Sequence, residues 1–302
     1  RGLYPPGSTI KPMIGLAGLQ YGTMEPWERT FCLGHFSLPG SSHRFRDWKK
    51  TGHGHVNLKE AVAQSCDVYF YELALKLGID NLHDFLAGFG LGARTGIDVP
   101  SEKGGTLPSR EWKRSRFSRR EDQVWYPGET LITGIGQGYL QTTPLQLAHA
   151  TAIVAARGQR FRPMLITGVR DTVTSEDVMF EPEALPPVRL IDENLWQEVI
   201  DTMVAVVHGP TGTARRIGEG APYTIAGKTG TAQVISIAQD AEYDEQELEE
   251  RQKDHALFVA FAPAEAPRIA VAVIVENGGS GSGVAAPVAR AVLDSYLLGS
   301  GQ

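Results

Sequence analysis

The sequence predicts an α+β chain, and three observations carry that reading. Late in the chain, runs of β-branched and apolar residues read as strands over 223–234, 256–263 and 268–276. The last of these alternates Ile269, Val271, Val273 and Val275, the period of a half-buried strand. A helical segment over 284–298 closes the chain, and the other long helical patterns cluster earlier.

Taken in order, Pro5, Pro6 and Gly7 hold the approach out of helix, and Ser8 suits a helix start. Pro12 is tolerated in a first turn, where its missing N–H costs least. Lys11 then lies one turn beyond Ser8, on the same face. Residues 22–57 are loop-rich, dense in Gly, Pro, Ser and His. A helix follows over 58–64, ending near Ser65. Helical spacing resumes from Val68 to a stop at Gly78, and a short helix over 81–89 starts on Asn81 as its cap. Residues 91–133 read as mostly irregular. The glycines of 134–138 read as a tight turn rather than a nucleotide loop, with no clear strand before them and no acidic ribose partner. Thr143 caps a helix running to about Ala156. Short strands and turns occupy 161–187, and an amphipathic helix spans 194–207. The acidic stretch 239–255 lacks an apolar period and reads as a surface loop.

Bulk properties narrow the function classes. The 302 residues suffice for one large domain or two closely packed ones. Hydrophobic content of 42% and charge of 21% describe an ordinary soluble globular chain. A net charge of −6 and a pI near 5.8 give no reason to expect nucleic acid. The basic segment 110–120, interleaved with Trp112 and Phe117, reads as a solvated face or as a patch for an anionic polymer or partner protein. There is neither an 18-residue apolar run nor a signal peptide. The opening Arg1-Gly2-Leu3-Tyr4 reads as the start of an excised region, with any anchor lying upstream.

Three separated motifs bear chemistry. Ser8-x-x-Lys11 pairs a hydroxyl nucleophile with a lysine able to take its proton. Ser65-Cys66-Asp67 falls at the break between two helices, and Lys228-Thr229-Gly230-Thr231 lies on a strand. Each is weak alone; the three in this order are specific. The set resembles that of penicillin-binding proteins and serine β-lactamases. Tyr4–Pro12, Arg46–Lys50, 134–138 and 230–234 further resemble the class B transpeptidases of cell elongation.

The resemblance covers essentially the whole chain. It implies a penicillin-binding/serine β-lactamase-like fold, an antiparallel sheet flanked by helices with an adjoining helical subdomain. On that reading, a loop-rich helical part spans about 22–155, and a sheet part spans about 156–302 with the Ser8 helix. The implied reaction is peptidoglycan D,D-transpeptidation on stem peptides ending in D-Ala-D-Ala, through an acyl-serine that β-lactam antibiotics trap. Ser8 attacks, Lys11 accepts its proton, Ser65 relays a proton to the leaving amine, and Lys228 supplies fixed positive charge for the substrate carboxylate. Thr229 and Thr231 donate hydroxyls to that carboxylate, and Gly230 lets the substrate lie along the strand. The N–H groups of Ser8 and Thr231 form the implied oxyanion hole. The second motif usually ends in Asn. Here Asp67 cannot donate when ionised, so a substrate contact and a cap on the following helix both stay open.

Cys32, Asp47, His53 and Cys66 form a Cys-x14-Asp-x5-His-x12-Cys pattern. Two thiolates, an imidazole and a carboxylate make a closed structural zinc set, with His55 and His43 in reserve. A Cys32–Cys66 disulfide and two free thiols are the alternatives. The resemblance also implies the periplasmic face of the bacterial inner membrane, and as partners an elongation glycosyltransferase and scaffold proteins. Rival functions are a D,D-carboxypeptidase, a serine β-lactamase or β-lactam sensor, and a non-catalytic zinc-clamped scaffold.

Overall fold

The structure is a computed structural model that describes residues 2–233 and 253–299. A 3₁₀ turn, Gly7–Ile10, runs directly into helix α1, Lys11–Gln20. Every residue from Lys11 to Leu19 is buried, so α1 is a core helix with no solvent face. In the loop-rich stretch, β1 (Thr30–Cys32) pairs antiparallel with β4 (Gly54–Val56), and β2 (His35–Phe36) with β3 (Phe45–Arg46). Helix α2, Leu58–Gln64, starts on a capping box between Asn57 and Glu60 and stops at Ser65, which is left-handed (φ 59°, ψ 36°).

Helix α3 spans Asp67–Gly88. Its ladder is interrupted only at Gly78 (φ 75°, ψ 162°), a conformation open essentially to glycine alone. The expected stop at Gly78 is therefore a kink. Asn81 is not a cap; its Nδ2 donates back to Leu77 O at 2.9 Å, one turn earlier in the same helix. The expected irregular stretch 91–133 also needs correction. It holds α4 (Arg110–Arg116), capped by the Ser109 side chain, a 3₁₀ turn at Arg120–Gln123, and α5 (Pro127–Thr133).

Helix α6, Pro144–Ala155, begins on a capping box of Thr143 and Gln146. Four short strands make two hairpins: β5 (Arg160–Phe161) with β8 (Ala184–Leu185), and β6 (Gly168–Arg170) with β7 (Asp177–Met179). Helices α7 (Asn194–His208) and α8 (Arg215–Gly218) lead to the main sheet. That sheet is antiparallel, ordered β11-β10-β9, from β9 (Ala226–Ala232), β10 (His255–Ala262) and β11 (Ile269–Val275). β10 is central and buried from Ala256 to Ala262, as its unbroken apolar run requires. Helix α9, Ala286–Leu298, follows a π-turn at Gly281–Ala285. α6 and α9 pack on the sheet, while α1 packs against α3 and α7, and one hydrophobic core runs through both groups. Most of the predicted acidic loop, up to residue 252, lies outside the described residues.

Candidate active site and metal-ligand cluster

Ser8 lies half-buried inside the 3₁₀ turn rather than capping a helix, and that turn packs against β9. Backbone contact holds it there. Gly7 N donates to Gly136 O at 2.8 Å. A Cβ on Gly136 would fall 2.0 Å from Gly7 O, and one on Gly7 would fall 2.6 Å from Thr231 O. Only glycines let these three segments close on one another. Gln137 tightens the same junction, its Nε2 donating to Thr231 O at 3.1 Å.

Lys11, one turn on, is fully buried and makes three contacts with the turn between α2 and α3. Its Nζ donates to Ser65 O at 2.8 Å, to Ser65 Oγ at 3.4 Å and to Asp67 Oδ1 at 2.7 Å. The Phe70 ring, 5.3 Å away, covers another side of the charge. Lys228 arrives from β9 and donates to the same Ser65 Oγ at 2.8 Å and to Thr229 O at 3.0 Å. Burial, and then the charge of Lys11, push its pKa well below the ordinary lysine value, while the Asp67 charge acts to raise it. Ser65 thus bridges two lysines that are 217 positions apart in sequence.

Asp67 is not the cap of the helix it opens. Cys66 occupies the N-cap position of α3, and Asp67 is its first residue. One carboxylate oxygen faces Lys11 and the other accepts from Trp48 N at 3.1 Å. A carboxylate at a helix start is also favoured by the backbone dipoles. Thr229 Oγ1 lies 2.8 Å from Thr213 Oγ1, and Thr231 is exposed at the end of the strand.

Directly behind this turn, Cys32, Asp47, His53 and Cys66 converge, with one ligand atom from each within 4.8 Å of all the others. Cys32 Sγ lies 3.5 Å from both Asp47 Oδ2 and His53 Nδ1, and Cys66 Sγ lies 3.4 Å from Asp47 Oδ2. Tetrahedral zinc with ordinary bond lengths needs ligand–ligand separations of about 3.3–3.8 Å. The donor set fits that ion, and the three separations just given fall in this range, while the four ligand atoms together lie within 4.8 Å. The two cysteines are free and buried, so the disulfide alternative is not realised. His43 and His55 are exposed and stack on Phe45 and Phe31 instead of joining the group.

Burial alone would raise the Asp47 carboxyl. His53 and the N–H groups of Lys49 and Val68 outweigh it and hold Asp47 well below the usual carboxylate range. Burial, followed by the Asp47 charge, pushes the Cys66 thiol far up. Asp47 also ties the cluster to the catalytic turn, accepting from Asp67 N at 2.7 Å and Val68 N at 3.1 Å.

A family model described as the penicillin binding protein transpeptidase domain matches residues 1–294. The chain belongs to that family. Over 299 residues it is 48% identical to the peptidoglycan D,D-transpeptidase MrdA of Acinetobacter baumannii, covering 99% of this chain and 43% of that protein. The crystal structure of Pseudomonas aeruginosa PBP2 in complex with WCK 5153 superposes with a TM-score of 0.84 at 49% identity, over 99% of this chain and 60% of that one. Helicobacter pylori PBP2, solved in a complex with MreC, superposes with a TM-score of 0.82 at 33% identity, over 99% of this chain and 50% of that one. The chain spans under half the length of the MrdA proteins it matches. Among the described residues no helix is long and apolar enough to cross a membrane.

Lys11, Ser65 and Lys228 meet at the Ser65 hydroxyl, and Ser8 lies in the turn that leads into the Lys11 helix. Trp48, Gln137 and Thr213 were not expected. Trp48 and Gln137 carried a faint signal, since each sits in a flank that resembles the elongation enzymes. Thr213, in a Gly-containing turn after α7, carried none.

Proposed function

We propose that this chain is the peptidoglycan D,D-transpeptidase unit of an elongation-type class B penicillin-binding protein. One observation carries the reading: lysines from two distant motifs converge on the hydroxyl of Ser65, and one of them follows Ser8 by a single turn. A serine acyl transfer needs groups able to remove and return a proton near its nucleophile, and this network supplies them.

In this reading Ser8 Oγ attacks the penultimate carbonyl of a stem peptide ending in D-Ala-D-Ala. Lys11 accepts the proton, and Ser65, placed between the lysines, passes a proton to the departing D-Ala amine. The N–H groups of Ser8 and Thr231 stabilise the oxyanion, a contribution of about 3 kcal/mol to the barrier for one such donor. The terminal carboxylate sits at Lys228, Thr229 and Thr231, beside the small Gly230. Its charge raises the Lys228 pKa again, so the lysine is cationic when substrate is bound. Asp67 positions Lys11 rather than touching substrate. The whole chain acts as one transpeptidase domain with two lobes.

Cys32, Asp47, His53 and Cys66 hold a structural zinc that fixes the 22–57 stretch to the 65–67 turn. When bound, the ion supplies only cross-linking and charge to its thiolates. The unit works at the periplasmic face of the inner membrane, anchored by an upstream segment, with an elongation glycosyltransferase and MreC-like scaffold proteins as partners.

Intact-mass measurement after incubation with penicillin tests the catalytic reading. Wild type gains one long-lived adduct, and Ser8→Ala gains none. An adduct that disappears within seconds points to a β-lactamase; none on folded wild type removes the catalytic reading. Metal analysis tests the clamp: chelator-free protein carries one zinc per chain, and Cys66→Ser loses it with a fall in stability of about 3 kcal/mol or more. Unchanged metal content and melting temperature in Cys66→Ser would rule the clamp out.

A further inference from the structure

The basic segment 110–120 takes no part in the chemistry above, yet the fold gathers it into one surface beside the site. Lys113 alone turns inward, 3% exposed, ion-paired with Glu129 and donating to Val124 O at 2.6 Å. The arginines all face solvent. Arg110 meets Asp80 at 3.2 Å, Arg114 pairs with Glu111, and Arg119 meets Glu121 and Asp122 at 3.6 and 3.5 Å. Arg116 and Arg120 have no carboxylate partner among the described residues. Arg110, Arg114 and Arg120 also line a pocket of about 360 Å³.

Next to them Trp112, Phe117 and Tyr139 close an aromatic trio, with ring centroids 5.1, 5.8 and 6.3 Å apart. All three rings are at least partly exposed. Tyr139 follows two residues after Gln137, which touches the backbone of Thr231. The Cα atoms of Tyr139 and Gln137 are therefore at most about 7 Å apart.

We propose that this shelf binds an uncross-linked peptidoglycan strand, with peptide carboxylates on Arg116 and Arg120 and sugar faces on the aromatic trio. The proposal rests on the transpeptidase reading and extends its substrate from a peptide end to a polymer. Charge complementarity selects the occupant. The chain as a whole carries −6, so an exposed arginine island stands against its own field and attracts an anion. A planar guanidinium matches a carboxylate with two parallel hydrogen bonds, and rings at this spacing offer flat apolar faces to a saccharide. The trio is too small and too polar at its rim to resemble the apolar centre of a stable protein interface.

The test measures binding of soluble uncross-linked peptidoglycan strands to the chain carrying Ser8→Ala, which prevents turnover. Adding Arg116→Glu and Arg120→Glu is expected to weaken binding about tenfold and to flatten its salt dependence. A control pair, Lys59→Glu with Arg189→Glu, makes the same change in net charge at exposed positions elsewhere and is expected to shift binding less than about twofold. Equal affinity in the arginine variant, an equal loss in the control pair, or no measurable strand binding at all overturns the proposal. The first of these would leave the shelf to a protein partner. Penicillin acylation of wild type tests the transpeptidase reading separately, so the two failures cannot be confused.

Discussion

Lys11 and Lys228 are both fully buried, and both reach Ser65 Oγ, at 3.4 and 2.8 Å, from different parts of the fold. Their remaining partners differ. Lys11 faces a carboxylate, Asp67, at 2.7 Å, whereas among the described residues Lys228 reaches two hydroxyls, Ser65 Oγ at 2.8 Å and Thr229 Oγ1 at 3.5 Å, and the Thr229 carbonyl. A third buried lysine, Lys113, follows Lys11 in having a carboxylate, Glu129. Burying an ammonium without a counter-charge is costly, and the protein answers at Lys228 by favouring the neutral form. The lysine on the helix is paired directly with a carboxylate, while the one on the strand is held by hydroxyls and a carbonyl and feels the Asp67 charge only at a distance.

Replacing each lysine by Met gives the largest effects and separates the two. Lys11→Met strands the Asp67 carboxylate and is expected to cost about 3–5 kcal/mol of stability. It also removes the proton acceptor, lowering acylation by a chromogenic β-lactam about 10³-fold. Lys228→Met removes a buried polar group that lacks a carboxylate, so stability stays level or rises by about 1 kcal/mol. Acylation still falls about 10²-fold or more, because the anion loses its counter-charge. Urea unfolding and stopped-flow acylation read both quantities. Equal stability losses in the two variants would break the comparison.

Asp67→Asn sharpens it with a smaller change. Asp67 accepts on both oxygens, from Lys11 and from Trp48 N. An amide offers one acceptor and one donor group, so whichever way it turns, one partner is left facing an N–H. The expected cost is about 1–3 kcal/mol, below that of Lys11→Met, with acylation down less than about tenfold. If Asp67→Asn matched Lys11→Met in both readouts, the carboxylate would be part of the reaction and not only a support for Lys11.

Much of this was legible in the sequence, for reasons of range. Strand alternation at Ile269, Val271, Val273 and Val275, and the Thr143 cap, are local signals, and both elements formed where expected. The three motifs pointed to Lys11, Ser65 and Lys228, which the fold joins at one hydroxyl, because each combines a reactive residue with a fixed neighbour. The ligand pattern brought Cys32, Asp47, His53 and Cys66 together, although His43 and His55 were equally eligible by chemistry. The Lys11–Asp67 pair was out of reach, since it joins residues 56 positions apart and depends on the left-handed turn at Ser65. α4 was missed because its arginines masked the apolar period, and α5 because seven residues opening on Pro127 and Gly128 are too few to show one. Asn81 misled because an Asn can cap a helix or bond backward within one, and Gly78 bends α3 without ending it.

The smallest prediction concerns pH, and it tests the Lys228 half of the comparison alone. The folded pKa of Lys228 lies well below 10.5, its value when exposed, because of burial and then Lys11. Below the folded pKa both states carry the proton, and the folded chain bears the whole cost of the buried charge. Between the two pKa values the unfolded lysine holds a proton that the folded one lacks, so stability rises with pH. Above 10.5 the cost is gone. Relative to Lys228→Met, wild type should therefore gain stability across an alkaline window that closes near 10.5, with a slope of at most about 1.4 kcal/mol per pH unit. Urea midpoints of both proteins, measured at several pH values through that range, give the difference free of every other titrating group. A difference that stays flat would mean that Lys228 keeps its ordinary proton affinity when buried. The strand lysine would then be a fixed charge after all, balanced by Asp67 across the Ser65 hydroxyl rather than waiting for a substrate carboxylate.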